Sequence, residues 1–269
     1  CEHFPDYDYS PFMNEKFYKD WSHDLKWGIH QARCVVGHNL KVAWNLTRMH
    51  SLTPKESYKT FAHQIADAIP AAGCDNQRGG WYDMMERTLK DGEENYRRVW
   101  HDRKAWWQQE QGILAYYIMA GVYNDKPEYL NYAREGSAFY NGWFLDYEEG
   151  AIYFNVLANG QPYSLGGERG KGSHSMAGYH SFELCFLAAV YTNLLVNKQP
   201  MDFFFKPNPQ AWPDNKLRVA PDLLPAGSIV LSEVWIDDKP YTDFDSKIKL
   251  LGPFHIIVID SMSSIYPEP

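Results

Sequence analysis

The sequence is poor in the features that mark metal-binding, disulfide-rich and membrane-spanning proteins. Its 269 residues contain four cysteines, which are widely spaced and form no CxxC pair. This spacing indicates neither a zinc site nor a disulfide framework, and it predicts reduced thiols in a cytoplasmic protein. No apolar run in the sequence is long enough to span a bilayer. The chain begins with Cys1 and not with methionine, so the sequence leaves the presence of a signal peptide open.

Basic segments are missing as well. The formal net charge is −8, and no block of lysines or arginines stands out. Nucleic-acid binding therefore lacks its electrostatic signature, because it requires a basic patch that neutralises phosphates. Aromatic residues, in contrast, make up 16% of the chain. Flat aromatic faces suit the C–H faces of sugars, and the same abundance also fits a core of aromatic helices, so composition leaves both interpretations open.

Apolar residues recur at helical spacing over most of the first 197 residues. Phe61, Ile65 and Ile69, for example, share one face of a helix. The pattern predicts five helices, over residues 37–50, 55–72, 103–123, 128–144 and 180–197. Residues 14–34 show a weaker helical spacing and would make a sixth helix.

Two connections between these helices share a motif. RGGWYD at residues 78–83 and EGAIYF at 149–154 each place glycine before an aromatic, strand-like segment, about 70 residues apart. Helices that alternate with short hairpins describe a mainly α fold, an (α/α)6 toroid. A complete ring of this kind needs about twelve helices, so residues 1–199 are predicted to form about half of it.

Prolines separate this helical region from a β-rich end. A linker over residues 200–226 is predicted from Pro207, Pro209, Pro213, Pro221 and Pro225. Residues 228–236 and 255–259 then have the composition of strands. We expect residues 227–269 to form a small β appendage, and nothing in it resembles catalytic chemistry.

Two glycine–histidine motifs carry the candidate chemistry. Residues 171–183 form a glycine-rich loop that runs into an apolar helix and presents His174, His180 and Glu183. Far upstream, Gly37 and His38 again precede an apolar helical run. Glycine lets the backbone approach a ligand closely, and histidine is the side chain best suited to proton transfer near neutral pH. Two such histidines on opposite sides of a pocket would make an acid/base pair.

These motifs resemble the N-acylglucosamine 2-epimerase superfamily, which includes cellobiose 2-epimerases and mannose-type aldose–ketose isomerases. The resemblance covers roughly residues 1–197, in the order of the second half of the family's barrel. The matching stretches are GHNLKVAW at 37–44, RGGWYD at 78–83, KAWWQQE at 104–110 and KGSHSMAGYHSFE at 171–183. The resemblance implies an (α/α)6 barrel with its site at the mouth, no metal and no redox cofactor. By the same resemblance, His38 and His180 match the family's two acid/base histidines.

The chemistry explains why two histidines would be needed. A hydrogen beside a sugar carbonyl is acidic because the charge left on its removal delocalises as an enediolate. Epimerisation returns a proton on the opposite face, whereas aldose–ketose isomerisation delivers it to the adjacent carbon. The remaining candidates would stack on the sugar, polarise its oxygens or orient a histidine. These substrate-binding candidates are Arg78, Lys104, Trp106, Trp107, Glu110, Lys171, His174 and Glu183.

The sequence also departs from the family pattern. The family commonly has glutamate at the position of Lys41, tryptophan at that of Ser175, and Gln-Ala-Glu where this chain has Gln109, Glu110 and Gln111. A lysine beside a histidine would lower the pKa of its imidazole. The alternative function is therefore a non-catalytic sugar-binding or assembly protein on the same barrel. A glycoside hydrolase ranks last, because the motif carboxylates are not obviously paired.

The candidate histidines could also have purely structural roles. His38 could be held at a helix start by a backbone carbonyl, and His180 and Glu183 could be a hydrogen-bonded pair on one helix face. The expected partner is a small sugar, with neither nucleic acid nor membrane. Because half a toroid would expose an apolar edge, we expect the rest of the ring to come from a longer chain or a partner, a homo-oligomer included.

Overall fold

The computed structural model describes residues 10–22, 33–99, 101–165, 170–173, 175–205, 216–236, 238–244, 247–249 and 255–261. Its helices are α1 (Val36–Leu52), α2 (Glu56–Gly73), α3 (Trp106–Val122), α4 (Pro127–Trp143) and α5 (Tyr179–Tyr191), which continues as a π-helical turn (Thr192–Val196). Its strands are β1 (Arg33–Val35), β2 (Met84–Glu86), β3 (Arg103–Ala105), β4 (Asn155–Leu157), β5 (Met201–Phe205), β6 (Lys216–Arg218), β7 (Ile229–Ile236), β8 (Lys239–Pro240), β9 (Lys247–Lys249) and β10 (His255–Ser261).

Helices α1 and α2 form one hairpin, and α3 and α4 form the next. Each pair is joined by three or four residues, too few for anything but antiparallel neighbours. Helix α1 packs on α3, and α3 packs on α5, so these three form an inner row, while α2 and α4 lie behind it. Pro127 starts α4, where its fixed φ and missing N–H are tolerated. The predicted mainly α fold of helical hairpins is confirmed.

The predicted repeat of about 70 residues is present in the structure. After α2, the chain turns through a bridge between Cys74 and Trp81 into β2, which pairs with β1. After α4, it turns through a bridge between Leu145 and Ile152 into β4, which pairs with β3. Each two-stranded ribbon ends where an inner helix begins, so the ribbons hold the N-terminal ends of α1 and α3 at the same side of the molecule.

Aromatic residues form much of the core between the helices. Trp81 stacks on Tyr116 with ring centroids 5.3 Å apart, and Tyr116 contacts Tyr129 at 5.6 Å. Trp44 and Tyr191 are also fully buried. Buried rings of this size contribute large apolar areas, so much of the aromatic content belongs to the core.

The β-rich end contains two antiparallel sheets, ordered β5–β10–β7–β8 and β6–β9. Asp222 ties this region to the helices: its carboxylate accepts both Arg48 guanidinium hydrogen bonds and one from the Tyr191 hydroxyl, at 2.8 Å from the latter. Strands β5 and β6 lie inside residues 200–226, so this segment differs from the predicted linker. Strand β5 alternates half-buried and exposed positions and pairs with β10, which proline spacing alone does not indicate.

The helix boundaries agree closely with the periodicity, with two exceptions. The segment 103–123 begins as strand β3, and helix α3 starts only at Trp106. Residues 14–22 of the weak sixth helix contain no helix, and residues 23–32 lie outside the described part of the chain. Phe17 and Trp21 do contact each other, with ring centroids 6.2 Å apart, although no helix carries them.

Candidate active site

The N-terminal ends of α1, α3 and α5 converge on a pocket of about 330 Å³. Three helix N-termini bring the positive ends of helix dipoles to one place, which favours negative charge there. The pocket is lined by His38, Lys41, Asp83, Arg103, Ala105, Trp106, Trp107, Phe154, Asn155, Ser175, Tyr179 and His180.

Trp107 lies between the two candidate histidines. Its ring centroid is 5.2 Å from that of His38 on α1 and 5.7 Å from that of His180 on α5. The structure therefore brings together two residues that are 142 positions apart in the chain. Gly37 makes the close approach of α1 possible, because a Cβ there would lie 2.7 Å from the Trp107 ring.

His38 is held by a carboxylate. Its Nδ1 lies 3.0 Å from Oε1 of Glu15, and the other oxygen of Glu15 accepts a hydrogen bond from Arg33 at 3.0 Å. Burial of Glu15 opposes its ionisation, but the hydrogen bond and charge of His38, together with Arg33, outweigh burial and lower its pKa. Glu15 is therefore ionised at neutral pH and accepts a hydrogen bond from Nδ1 of His38. Nearly half of the His38 side chain is exposed, and His38 lines the pocket.

His180 is held by an amide instead. Nε2 of Gln111 lies 3.1 Å from Nδ1 of His180 and 3.1 Å from Oε2 of Glu183. The same Glu183 oxygen lies 3.5 Å from the Lys41 ammonium. Oε1 of Gln111 accepts a hydrogen bond from Nε1 of Trp44 at 2.9 Å. The environment of the two histidines thus differs: one faces a carboxylate and the other an amide.

The environment of His180 favours its neutral form. Burial is the main cause, and the charge of Lys41 adds to it, so the pKa of His180 falls to about 4 although Glu183 opposes the shift. The imidazole of His180 is therefore uncharged near pH 7. The lysine at position 41 has the effect on a pocket histidine that the sequence predicted, but the histidine is His180.

Polar side chains fix the pocket floor. Oε1 of Gln108 accepts the backbone N–H of Gly37 at 2.6 Å, and its amide N–H donates to Asp83. Asp83 also pairs with Arg103. These contacts join the start of α1, the start of α3 and the end of the first turn, so the positions of the two helix ends depend on one another.

Some of the predicted site residues line the pocket, and others lie behind the residues that line it. Trp106 and Trp107 both line it, with Trp106 almost fully buried. Glu183 lies behind His180 in the contacts described above. Glu110 is fully buried beneath the pocket and accepts hydrogen bonds from Tyr140 and Ser181, each at 2.6 Å. Burial raises the pKa of Glu110 despite these two donors.

Three predicted cationic residues lie elsewhere. Arg78 contacts Gln77 on an exposed turn, Lys104 is fully buried against Asp75, and Lys171 pairs with Asp146. None of the three lines the pocket between the histidines. His174 lies outside the described residues.

Sequence reasoning missed Glu15, Asp83, Arg103 and Tyr179 as pocket or partner residues. No spacing rule connects position 15 with position 38, since their meeting depends on how the irregular segment 10–22 folds back. The family pattern marks Gln111 and Lys41 as departures but does not indicate what they contact. A signal for Arg103 was available, because it precedes the KAWWQQE motif directly.

Within the described residues, no three His, Cys, Asp or Glu side chains form a cluster able to hold a metal ion. Cys34, Cys74 and Cys185 are free thiols. No helix in the described part of the chain combines the length and apolar character needed to cross a bilayer.

Comparison with solved structures identifies the class of fold. The chain is similar to cellobiose 2-epimerase from Bacillus thermoamylovorans (TM-score 0.53, 18% identity over 67% of this chain), to a D-mannose isomerase (0.52, 19%, 65%) and to cellobiose 2-epimerase from Spirochaeta thermophila (0.53, 20%, 68%). It spans 41%, 41% and 42% of these three chains. No protein-family model and no curated protein matches the sequence. At these identities the similarity shows the fold alone: the matched part of the chain has the helical-hairpin arrangement of a portion of an (α/α)6 barrel, as the sequence predicted.

Proposed function

We propose that this pocket binds a reducing sugar and moves a proton at the carbon next to its carbonyl, as a 2-epimerase or aldose–ketose isomerase does. The observation that carries the proposal is the placement of His38 and His180 on either side of Trp107 in one pocket. Similar structures are described as a cellobiose 2-epimerase and a D-mannose isomerase, which supports a sugar as the class of substrate. His38 and His180 are the proposed proton-transfer residues.

The pocket has what an enediolate intermediate requires. The indole of Trp107 offers a flat face on which a sugar ring can stack between the two imidazoles. The helix N-termini, Lys41 and Arg103 place positive charge where an oxyanion develops. Asp83 and Asn155 supply acceptors for sugar hydroxyls. These groups lie on helices and short strands that hydrogen bonds fix, so the pocket is preorganised.

Enolisation can be tested directly. Proton NMR in heavy water with D-glucose, D-mannose, cellobiose and N-acetylglucosamine would reveal deuterium at C2 or C1 of a substrate. We expect His38→Asn and His180→Asn each to lower the exchange rate by about 10²–10⁴-fold, the usual contribution of a positioned acid or base. His101→Asn is the matched control, since His101 is exposed and does not line the pocket.

Either of two outcomes would overturn the proposal. Exchange that survives in both histidine variants would remove their assigned role. Folded protein that binds one of these sugars with neither exchange nor conversion to another sugar would identify a binding protein on this fold, the alternative that Lys41, Ser175 and Gln111 suggest.

We also propose that further helical hairpins pack on α5. Tyr179, Phe182 and Phe186 recur at helical spacing on α5 and are 56%, 77% and 51% exposed. Three large aromatic residues on one helix face form an apolar surface of the kind that another element covers. This chain matches about 41% of the length of a similar structure, so a complete ring of that size would need further elements beyond those described here.

The apolar face of α5 can be tested by sedimentation. The 269-residue chain is expected to self-associate, and Phe182→Lys with Phe186→Lys should lower its apparent mass. A wild-type chain that stays monomeric at high concentration and melts cooperatively would contradict the proposal. Leu165→Lys, an exposed change off this face, is the control.

A further inference from the structure

The orientation of the Gln111 amide is fixed by its neighbours. The indole N–H of Trp44 can only donate, so the Gln111 atom 2.9 Å from it must be the amide oxygen. The amide nitrogen then faces Glu183 and His180. Turning the amide over would bring two donors together at Trp44 and two oxygens together at Glu183. Gln111 and Trp44 are buried, so water does not relieve either clash.

This orientation selects one tautomer of His180. The two hydrogens of the Gln111 amide point to Oε2 of Glu183 and to Nδ1 of His180. Nδ1 must therefore offer its lone pair, and the single ring proton of neutral His180 resides on Nε2. A protonated His180 would place a second N–H against the amide hydrogen. His180 is thus a hydrogen-bond donor through Nε2.

His38 has the opposite arrangement. The Glu15 carboxylate can only accept, so Nδ1 of His38 carries the proton of their 3.0 Å hydrogen bond. In neutral His38 this leaves Nε2 with a free lone pair. A carboxylate that orients an imidazole through Nδ1 is the usual arrangement for a general base.

We propose that the two histidines have different roles: His38 is the single general base, and His180 is a neutral N–H donor fixed by Gln111, so the enzyme is an aldose–ketose isomerase and not an epimerase. This inference rests on the proposed function. It makes Gln111 a positioning residue, which acts on the substrate only through His180. An epimerase would need a second group able to deliver a proton to carbon, and neutral His180 could do so only by becoming an imidazolate.

The proposed reaction uses one proton carrier. Nε2 of His38 takes the proton from C2 of the aldose, the C–H electron pair forms the C1–C2 double bond, and the carbonyl π pair moves to O1. The Nε2–H of His180 donates a hydrogen bond to the O1 oxyanion. The hydroxyl proton of O2 then passes to O1, and protonated His38 returns the proton to C1. The product is the ketose, and no atom is gained or lost.

The tautomers can be measured without any activity. In protein labelled with 15N at histidine, long-range 1H–15N correlation at pH 7 distinguishes the protonated ring nitrogen from the one with a lone pair. We expect Nε2 of His180 and Nδ1 of His38 to carry the protons. Gln111→Glu should exchange the two nitrogen signals of His180, because a carboxylate there accepts from Nδ1. Gln64→Glu, the same change on the exposed face of α2, should leave them unchanged.

A protonated Nδ1 in wild-type His180 would overturn the inference whether or not the protein is an enzyme. Wild-type signals unaltered in a folded Gln111→Glu variant would remove the role of Gln111.

The reaction outcome gives an independent test. With D-mannose or D-glucose deuterated at C2, a single base predicts deuterium at C1 of the ketose and no C2 epimer. An epimer as the main product, with His180 in the expected tautomer, would contradict the single-base mechanism alone. The absence of both ketose and epimer would contradict the proposed function and leave the tautomer result standing.

Discussion

The same turn is built twice, and the two copies differ most in their burial. After α2, Lys104 lies 2.8 Å from Oδ2 of Asp75; after α4, Lys171 lies 2.7 Å from Oδ2 of Asp146. In both, the other aspartate oxygen accepts two backbone N–H groups of the turn, and the lysine also donates to a backbone carbonyl of that turn. The two aspartates are 71 residues apart, the same offset as the repeat.

The first of these turns is inside the protein and the second is at its surface. The side chains of Lys104 and Asp75 are 0% and 3% exposed, whereas those of Lys171 and Asp146 are 25% and 12% exposed. The ring of Phe139 lies 3.8 Å from the Lys104 ammonium. Removing one partner of a buried ion pair costs more stability than removing one partner of a hydrated pair, because the remaining buried charge is left without compensation. The two turns therefore contribute unequally to stability although their hydrogen bonds are similar.

Removing the buried cation should have the largest effect. In Lys104→Met the carboxylate of Asp75 keeps its burial and loses its counter-charge, so we expect a loss of about 3–5 kcal/mol in the free energy of unfolding. Urea denaturation at pH 7 measures it. Lys171→Met is the matched change at the surface turn, and its loss should be much smaller. Equal losses in the two variants would refute the comparison.

Replacing a glycine of each turn by alanine should give the next largest difference in stability between the two turns. Gly80 has φ +77°, and a Cβ there would lie 2.6 Å from the Phe139 ring and 2.8 Å from Oε1 of Gln109. Gly80→Ala should cost about 2–4 kcal/mol, from overpacking and left-handed backbone strain together. Gly150→Ala has a similar φ, +76°, with nothing within 4 Å of the new Cβ, and should cost only the backbone part. The difference in urea midpoints isolates the packing contribution.

Lowering the pH should reduce the difference in free energy of unfolding between wild type and Lys104→Met. Burial opposes the ionisation of Asp75, but the hydrogen bond and charge of Lys104 lower its pKa, so the pair stabilises the fold above pH 4 and is lost as pH falls through the lowered value. Without Lys104, burial raises the pKa of Asp75, and proton uptake relieves the variant earlier. Below the pKa of Asp75 in the variant, and down to its lowered pKa in the wild type, the difference in free energy of unfolding should fall by about 1.4 kcal/mol per pH unit. A gap that is constant between pH 7 and pH 4 would contradict this.

Much of the fold could be predicted from the sequence because its information is local and repeated. Helical periodicity located five helices, and the 70-residue repeat anticipated the two hairpins. The glycine–histidine motifs also pointed to His38 and His180, which the fold brings to one pocket. Their catalytic roles remain a prediction.

The sequence signals that misled the prediction of the site were lysines within the motifs. Lys104 and Lys171 were considered as groups that polarise a sugar because they lie in motifs, yet each completes an aspartate turn. An aspartate two or three residues after the end of an outer helix, with a glycine four residues later in both repeats, is a usable signal. Glu15 had none, because an irregular segment brings it to His38 and no periodicity describes that path.

The smallest expected effect concerns the residue that replaces Gly80 in the second turn. Ala151 occupies the equivalent position with φ +66°, a left-handed conformation that costs a non-glycine residue about 1 kcal/mol. Ala151→Gly removes this strain but makes the unfolded chain more flexible, so we expect a net stabilisation of about 0.5 kcal/mol. Ala138→Gly, on the exposed face of α4, makes the same exchange in a helix and should destabilise by about 1 kcal/mol. Opposite signs for these two variants in urea titrations would establish that the second turn keeps the backbone of the first at a position where the first uses glycine.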